Sequence, residues 1–347
     1  MGANDAGLVV GNEAVFTRRP MDSPGLTGMD LVRLALERSD SVESAVEVIT
    51  QLIHTHGQGG RAGYSNANFR YHNSFLMADI HGAAVLEAAG REIAVQRVSQ
   101  GVRAISNGLT ISSLQPYADG LRGRVAQSCQ RRGRMEQLGQ AVADPHGLTM
   151  ALRDHGTKGT ASCELASQSP QVHSENSLDS APVFRRLNGA LSAPCVHYGG
   201  MIAGSQTVAS WVSYLTPAGV QHWATGTSAP CISLFRPLSL DQPRDVGSPQ
   251  GTPDSTSLWW RFEHLHRRLM LDWGAAAELK AERDAIERAF FEFPEEQAEH
   301  WKSADQWLNR WNQKIGSLPD RRPSWLRRRW AKVIAEASEG NRLPPRS

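Results

Sequence analysis

Apolar residues follow the two-residue period of strands through most of the chain up to Ala224 and the helical period from Ser257 onward, and this switch restricts the fold most. Ser74-Phe75-Leu76-Met77-Ala78 and Ala83-Ala84-Val85-Leu86-Glu87 flank Asp79-Ile80-His81-Gly82, the pattern of a β-hairpin. Asn4-Asp5-Ala6-Gly7 has turn chemistry, and Leu8-Val9-Val10-Gly11-Asn12 after it reads as a strand with Leu8, Val10 and Asn12 on one face. Val102–Ile105, Thr207–Leu215 and Val220–Ala224 continue the strand theme, and Pro217-Ala218-Gly219 joins the last two as a second hairpin. A domain seldom opens on a hairpin turn, so an earlier strand is expected to be missing.

Helical spacing enters this strand-rich part early. Met29–Arg38 has a helical pattern, and Asp40 with Glu43 makes a capping pair for a second helix carrying Val42, Ala45, Val46, Ile49, Leu52 and Ile53. Gly57, Gly59 and Gly60 end it. Ala161–Pro182, rich in Ser, Gln and Pro, and Arg236–Ser257, rich in Pro, Gly, Asp and Ser, read as long loops. From Ser257 to His300 the apolar bulk of Trp259, Trp260, Leu265, Leu269 and Trp273 sits among helix formers. Strands followed by helices imply an α+β fold with helices packed on a largely antiparallel sheet, divided at 1–256 and 257–347.

Charge and cysteine usage exclude several function classes. Lys plus Arg is 37 against 35 for Asp plus Glu, so the net charge of +2 gives no electrostatic reason to expect a nucleic-acid partner. No run of about 18 apolar residues marks a membrane span. The opening MGANDAGLVV lacks a basic leader, and Ala6 stands where a myristoylation signal needs Ser or Thr, so a cytoplasmic location is expected. The four cysteines, Cys129, Cys163, Cys195 and Cys231, have no CxxC spacing and read as reduced thiols.

Several long blocks then point one way: MGANDAGLVVGNEAVFT (1–17), GMDLVRLALER (28–38), YHNSFLMAD and VLEAAGRE (within 71–92), and RAISNGLTI (103–111). LRDHG (152–156), GSQTVASWVSYL (204–215), TGTSAPCISLFRPL (225–238) and SLWWRFEHLHR (257–267) follow in order. In this order they resemble the body of secernin-type dipeptidases of peptidase family C69. The resemblance covers about residues 1–290. It implies an αββα N-terminal-nucleophile hydrolase sandwich with a helical C-terminal extension, acting on the amide bond of a dipeptide, with no metal or organic cofactor; a homo-oligomer is left open by the sequence. The family's nucleophile is an N-terminal cysteine whose own α-amine serves as base. Position 1 here is Met1, and the segment carrying that cysteine has no counterpart, so the sandwich is expected to lack its opening strands and this chain to be inactive. A non-catalytic binding or regulatory scaffold is the alternative. By position in the motifs, the resemblance places Asn12 and Asn107 as the amide donors that hold the substrate carbonyl and the oxyanion; as bare residue types they equally suit strand ends and turns.

Other candidates have ordinary explanations. Cys231, with His222 nearby in sequence, reads as a buried structural thiol rather than a replacement nucleophile. The pairs His54/His56 and His264/His266 diverge on a helix and do not suit a metal. Trp259, Trp260 and Trp273 read as core, and Glu263 with Arg267 as a surface i,i+4 pair. From Arg310 onward ten Lys or Arg face three acids, the composition of a solvated helix face.

Overall fold

The computed structural model describes residues 1–63, 66, 68–156, 180–201, 204–248, 251, 253–315 and 318–338, the last six by backbone alone. The chain divides into two compact units. Met1–Ala141 with Leu215–Val220 form the first; the described residues of the second fall within Val142–Gly159, His173–Tyr214 and Gln221–Ser347.

The first unit is built on a five-stranded antiparallel sheet in sequential order: β1 (Gly2–Ala3), β2 (Val9–Val15), β3 (His72–Asp79), β4 (Gly82–Ala89) and β5 (Glu92–Val98). Gly2 pairs with Val10 and Ala3 with Val9, so a two-residue edge strand precedes the Asn4–Gly7 turn. Asn4 fixes that turn: its Oδ1 accepts from Leu8 N at 3.0 Å, and its Nδ2 donates to the carbonyls of Leu36 and Ser39. The β3–β4 hairpin closes through Asp79, whose Oδ1 accepts from the amides of His81 and Gly82.

Two helices cover one face of this sheet. Helix α1 (Gly28–Arg38) starts at a Thr27–Asp30 capping box, and α2 (Val42–His56) ends at Gly57, whose φ of 71° needs no Cβ. Their apolar stripes, Leu31, Val32 and Ala35 with Ala45, Ile49 and Ile53, close over Leu8, Val10, Phe75, Met77 and Leu86. The cap of α2 is Ser41 with Ser44 rather than Asp40 with Glu43. Asp40 instead accepts from both serine hydroxyls, and Glu43 reaches out to Arg97.

Val102–Ile105 is not a strand. The edge of β4 is taken by β5, paired from Ala83↔Val98 to Ala89↔Glu92, whose polar Glu92, Gln96 and Arg97 hid it from a search for apolar runs. Two short helices, α3 (Gly120–Val125) and α4 (Ser128–Gly139), complete the unit.

Helix α5 (Pro145–Leu152) lies in the second unit and precedes a three-stranded sheet of β6 (Trp211–Thr216), β7 (Gly219–Ala224) and β8 (Arg236–Leu238), which belongs to that unit apart from Leu215–Val220. The stretch from Thr207 to Ser210 does not join β6, because Thr207 N is spent on Val196 O. Arg236 starts a strand rather than a loop: it is buried, with its guanidinium over the rings of Phe262 and Trp301. Helices α6 (Leu258–Leu269), α7 (Ala276–Glu292), α8 (Gln297–Lys314) and α9 (Ser324–Ser338) follow. Leu265, Leu269, Leu279, Phe290, Trp307 and Trp311 form the common core of α6, α7 and α8, and Trp260 is buried, as its apolar character requires. The architecture is therefore mixed α+β, with antiparallel pairing in every described ladder and a helical C-terminal region. Among the described residues no helix is long and apolar enough to cross a membrane.

Candidate functional site

Asn12 and Asn107, the residues singled out by the sequence, both meet β2, on different sides of it. Asn12 follows Leu8 and Val10 on the helix-covered face, where its Nδ2 donates to Asn73 Oδ1 at 3.1 Å. Asn73 donates in turn to Gln58 Oε1 from both its main chain and its side chain at 3.0 Å, and Gln58 Nε2 donates to Gly90 O at 2.7 Å. This amide ladder lies against the start of α1. A Cβ on Gly28 would come within 2.1 Å of Asn73 Oδ1 and 2.2 Å of Asn12 Nδ2, which explains the glycine.

One residue further along β2, Glu13 faces the opposite way. Asn107 Nδ2 donates to Ala14 O at 2.8 Å and to Glu13 Oε2 at 3.3 Å, while its Oδ1 accepts from the Arg131 guanidinium on α4. Burial pushes the Glu13 carboxyl up, against the pull of Arg131 and the Asn107 hydrogen bond. Burial likewise pushes Arg131 and the Met1 α-amine down, each opposed by the charge of Glu13. The result is a knot of partly buried polar groups beside β2, where it runs on past its short partner β1, next to Met1. The structure thus brings Asn107, Glu13, Arg131 and the Met1 amine together and leaves Asn12 on the other face.

The second unit holds a different constellation. His155 (after α5), Cys195, His197 and Cys231 are all buried, and their donor atoms all lie within 4.8 Å of one another. His197 Nε2 is 3.4 Å from each sulfur and 3.0 Å from His155 Nε2. Cys195 and His197 flank Val196, whose N–H and C=O are both taken by Thr207, and the Cys195 N–H donates to Asp154 O at 3.1 Å. Cys231 sits in the turn after Ala229, whose φ is 53°. Behind His197, its Nδ1 meets His266 Nε2 at 3.0 Å, and His266 Nδ1 meets Glu263 Oε2 at 3.2 Å. Burial pushes the His197 imidazole down to about 4, so the ring is neutral near pH 7.

These contacts correct several expectations. Glu263 with Arg267 is not a surface pair: the carboxylate is buried and also accepts from Ser228, Gln206 and His266. His266 is buried against His197, while His264, His54 and His56 are exposed and are not members of this cluster. Cys129 is disulfide-bonded, not a reduced thiol; Cys195 and Cys231 are free, and Cys163 lies outside the described residues. Two cysteines and two histidines converge here, a grouping outside the His54/His56 and His264/His266 pairs on which the expectation of no metal is argued. The only local sequence signal was the single-residue gap between Cys195 and His197; His155 and Cys231 are joined to them by tertiary folding alone. No family model matches the chain.

Proposed function

We propose that the chain is the body of a C69-type, secernin-like amide hydrolase of αββα sandwich architecture, with a dipeptide as its substrate. The observation that carries this reading is the knot of Glu13, Asn107 and Arg131 beside β2, near the Met1 amine. Desolvated, mutually perturbing polar groups are costly to fold, and they concentrate where chemistry or binding uses them. Asn107, named by the resemblance, is the member of the knot suited to donate to an oxyanion.

One feature favours the alternative of a binding scaffold. Both N–H donors of Asn107 are engaged, by Ala14 O and Glu13, so an oxyanion would have to displace the longer contact to Glu13. The family's nucleophile is an N-terminal cysteine, whereas the four cysteines of these 347 residues stand at 129, 163, 195 and 231. The 347-residue chain is therefore expected to show no thiol-dependent dipeptide hydrolysis. A chain extended at its N-terminus by a segment that opens on a mature cysteine is expected to hydrolyse dipeptides, and Asn107→Ala in that background to lower turnover by about 100- to 1000-fold. Equal turnover with and without Asn107 would leave it as a structural bridge to β2. A folded, extended chain that stays inert yet binds dipeptide by titration calorimetry would favour the scaffold.

A further inference from the structure

We infer that His155, Cys195, His197 and Cys231 form a structural zinc site in the second unit, independent of the hydrolase reading above. The donor set is the Cys2His2 combination that zinc takes tetrahedrally. Zinc–sulfur bonds of about 2.3 Å and zinc–nitrogen bonds of about 2.05 Å place sulfur and nitrogen about 3.6 Å apart, and two nitrogens about 3.3 Å apart. The two Sγ–Nε2 separations of 3.4 Å and the Nε2–Nε2 separation of 3.0 Å lie close to those tetrahedral edges.

The surrounding hydrogen bonds decide where the protons are, and they argue for a cation. His155 Nδ1 faces the carbonyl oxygen of Ser180, so it must carry the proton and leave a lone pair on Nε2. His266 Nδ1 faces the Glu263 carboxylate, so its proton is there and its Nε2 accepts from His197 Nδ1. That puts a lone pair on His197 Nε2 as well. Two imidazole lone pairs therefore point at each other across 3.0 Å, with two sulfurs beside them. Opposed lone pairs repel, whereas a cation binds both. The Glu263–His266–His197 chain is the outer support that orients a ligating imidazole and raises its basicity.

Binding is chemically balanced. Each thiol releases one proton to solvent, the imidazoles bind through lone pairs they already present, and two thiolates neutralise the divalent ion in a buried setting. With four protein ligands the coordination is closed, which suits a structural role and leaves no position for substrate. The ion would tie together three loops: the end of α5 at His155, the Cys195–His197 segment and the Cys231 turn.

The test uses the full-length chain purified without chelators. Elemental analysis should find about one zinc per chain. Chelation followed by cobalt(II) should give the visible bands of a tetrahedral site with thiolate-to-metal charge transfer. Cys195→Ser and Cys231→Ser should each remove the charge-transfer intensity due to their sulfur. If those variants fail to fold, His266→Gln keeps all four ligands and should weaken zinc about 10- to 100-fold in competition with a chromogenic chelator. The proposal is overturned if cobalt gives no thiolate charge transfer, if thiol counting under denaturation shows Cys195 and Cys231 joined in a disulfide, or if His266→Gln leaves zinc affinity unchanged.

Discussion

Glu263 shows how much one carboxylate can organise. It accepts from Gln206 Nε2 at 3.1 Å, Ser228 Oγ at 2.7 Å, His266 Nδ1 at 3.2 Å and Arg267 Nε at 2.7 Å. Burial opposes its ionisation, but His266 and Arg267 hold its carboxyl down at about 2, from an ordinary 4.5. A depressed carboxyl contributes stability that is fully present above its unfolded pKa and is lost as pH falls through the folded one. Glu263→Gln should therefore destabilise the chain at pH 7 by about 1 to 3 kcal/mol, the cost of leaving buried donors without their charged acceptor. The gap between variant and parent should close as pH drops from about 4.5 toward 2. Urea unfolding at a series of pH values measures it, and a gap independent of pH would show that the effect is packing rather than charge. Nothing local in the sequence announces this burial. Glu263 and Arg267 have the spacing of a solvated pair, and only the approach of Gln206 and Ser228 turns the carboxylate inward.

At the scale of elements, the start of α1 offers a paired experiment. Alanine normally favours a helix over glycine by up to about 1 kcal/mol. At Gly28 the added Cβ would lie 2.1 Å from Asn73 Oδ1 and 2.2 Å from Asn12 Nδ2, so sterics should outweigh propensity. Gly28→Ala is expected to lower the melting temperature and break the Asn12–Asn73 hydrogen bond. Gly120, at the start of α3, has nothing within 4 Å of an added Cβ, so Gly120→Ala should be neutral or slightly stabilising. If the two variants melt alike, the tight contact at Gly28 relaxes at little cost. Helices such as α1 and α2 were legible in the sequence because their apolar stripes and capping residues are local. The β3–β4 hairpin was legible for the same reason. β5 was not, since a sheet edge with one solvated face spends few apolar residues, and β8 was not, since Arg236 is a buried charge whose aromatic partners are supplied by α6 and α8. The candidate sites divide the same way: Asn107 could be named from its block, whereas its partners Glu13 and Arg131 and the whole Cys–His cluster depend on residues far apart in the chain.

For the whole molecule, the distribution of tryptophan provides a way to watch one unit at a time. All ten tryptophans fall between Trp211 and Trp330, within the second unit, and the first unit has none. Tryptophan emission is therefore a reporter of the unit that holds His155, Cys195, His197 and Cys231, and Trp273 lies edge-on to His155 and His197 with ring centroids 5.5 and 5.6 Å away. An ion that binds only the folded state stabilises it by about 2.7 kcal/mol when free metal is about 100 times its dissociation constant. Removing zinc with a chelator should therefore lower the tryptophan-detected unfolding midpoint and shift the emission of the folded state. Hydrogen exchange should rise first around His155, Cys195–His197 and Cys231, the three loops the ion would join. The amides of β2, β3 and β4 belong to the first unit's own sheet and core, and their protection should persist while the second unit loosens. If chelation instead strips protection from β2–β4 to the same degree, the two units unfold as one, and the metal would be a determinant of the entire fold rather than of the unit that contains it.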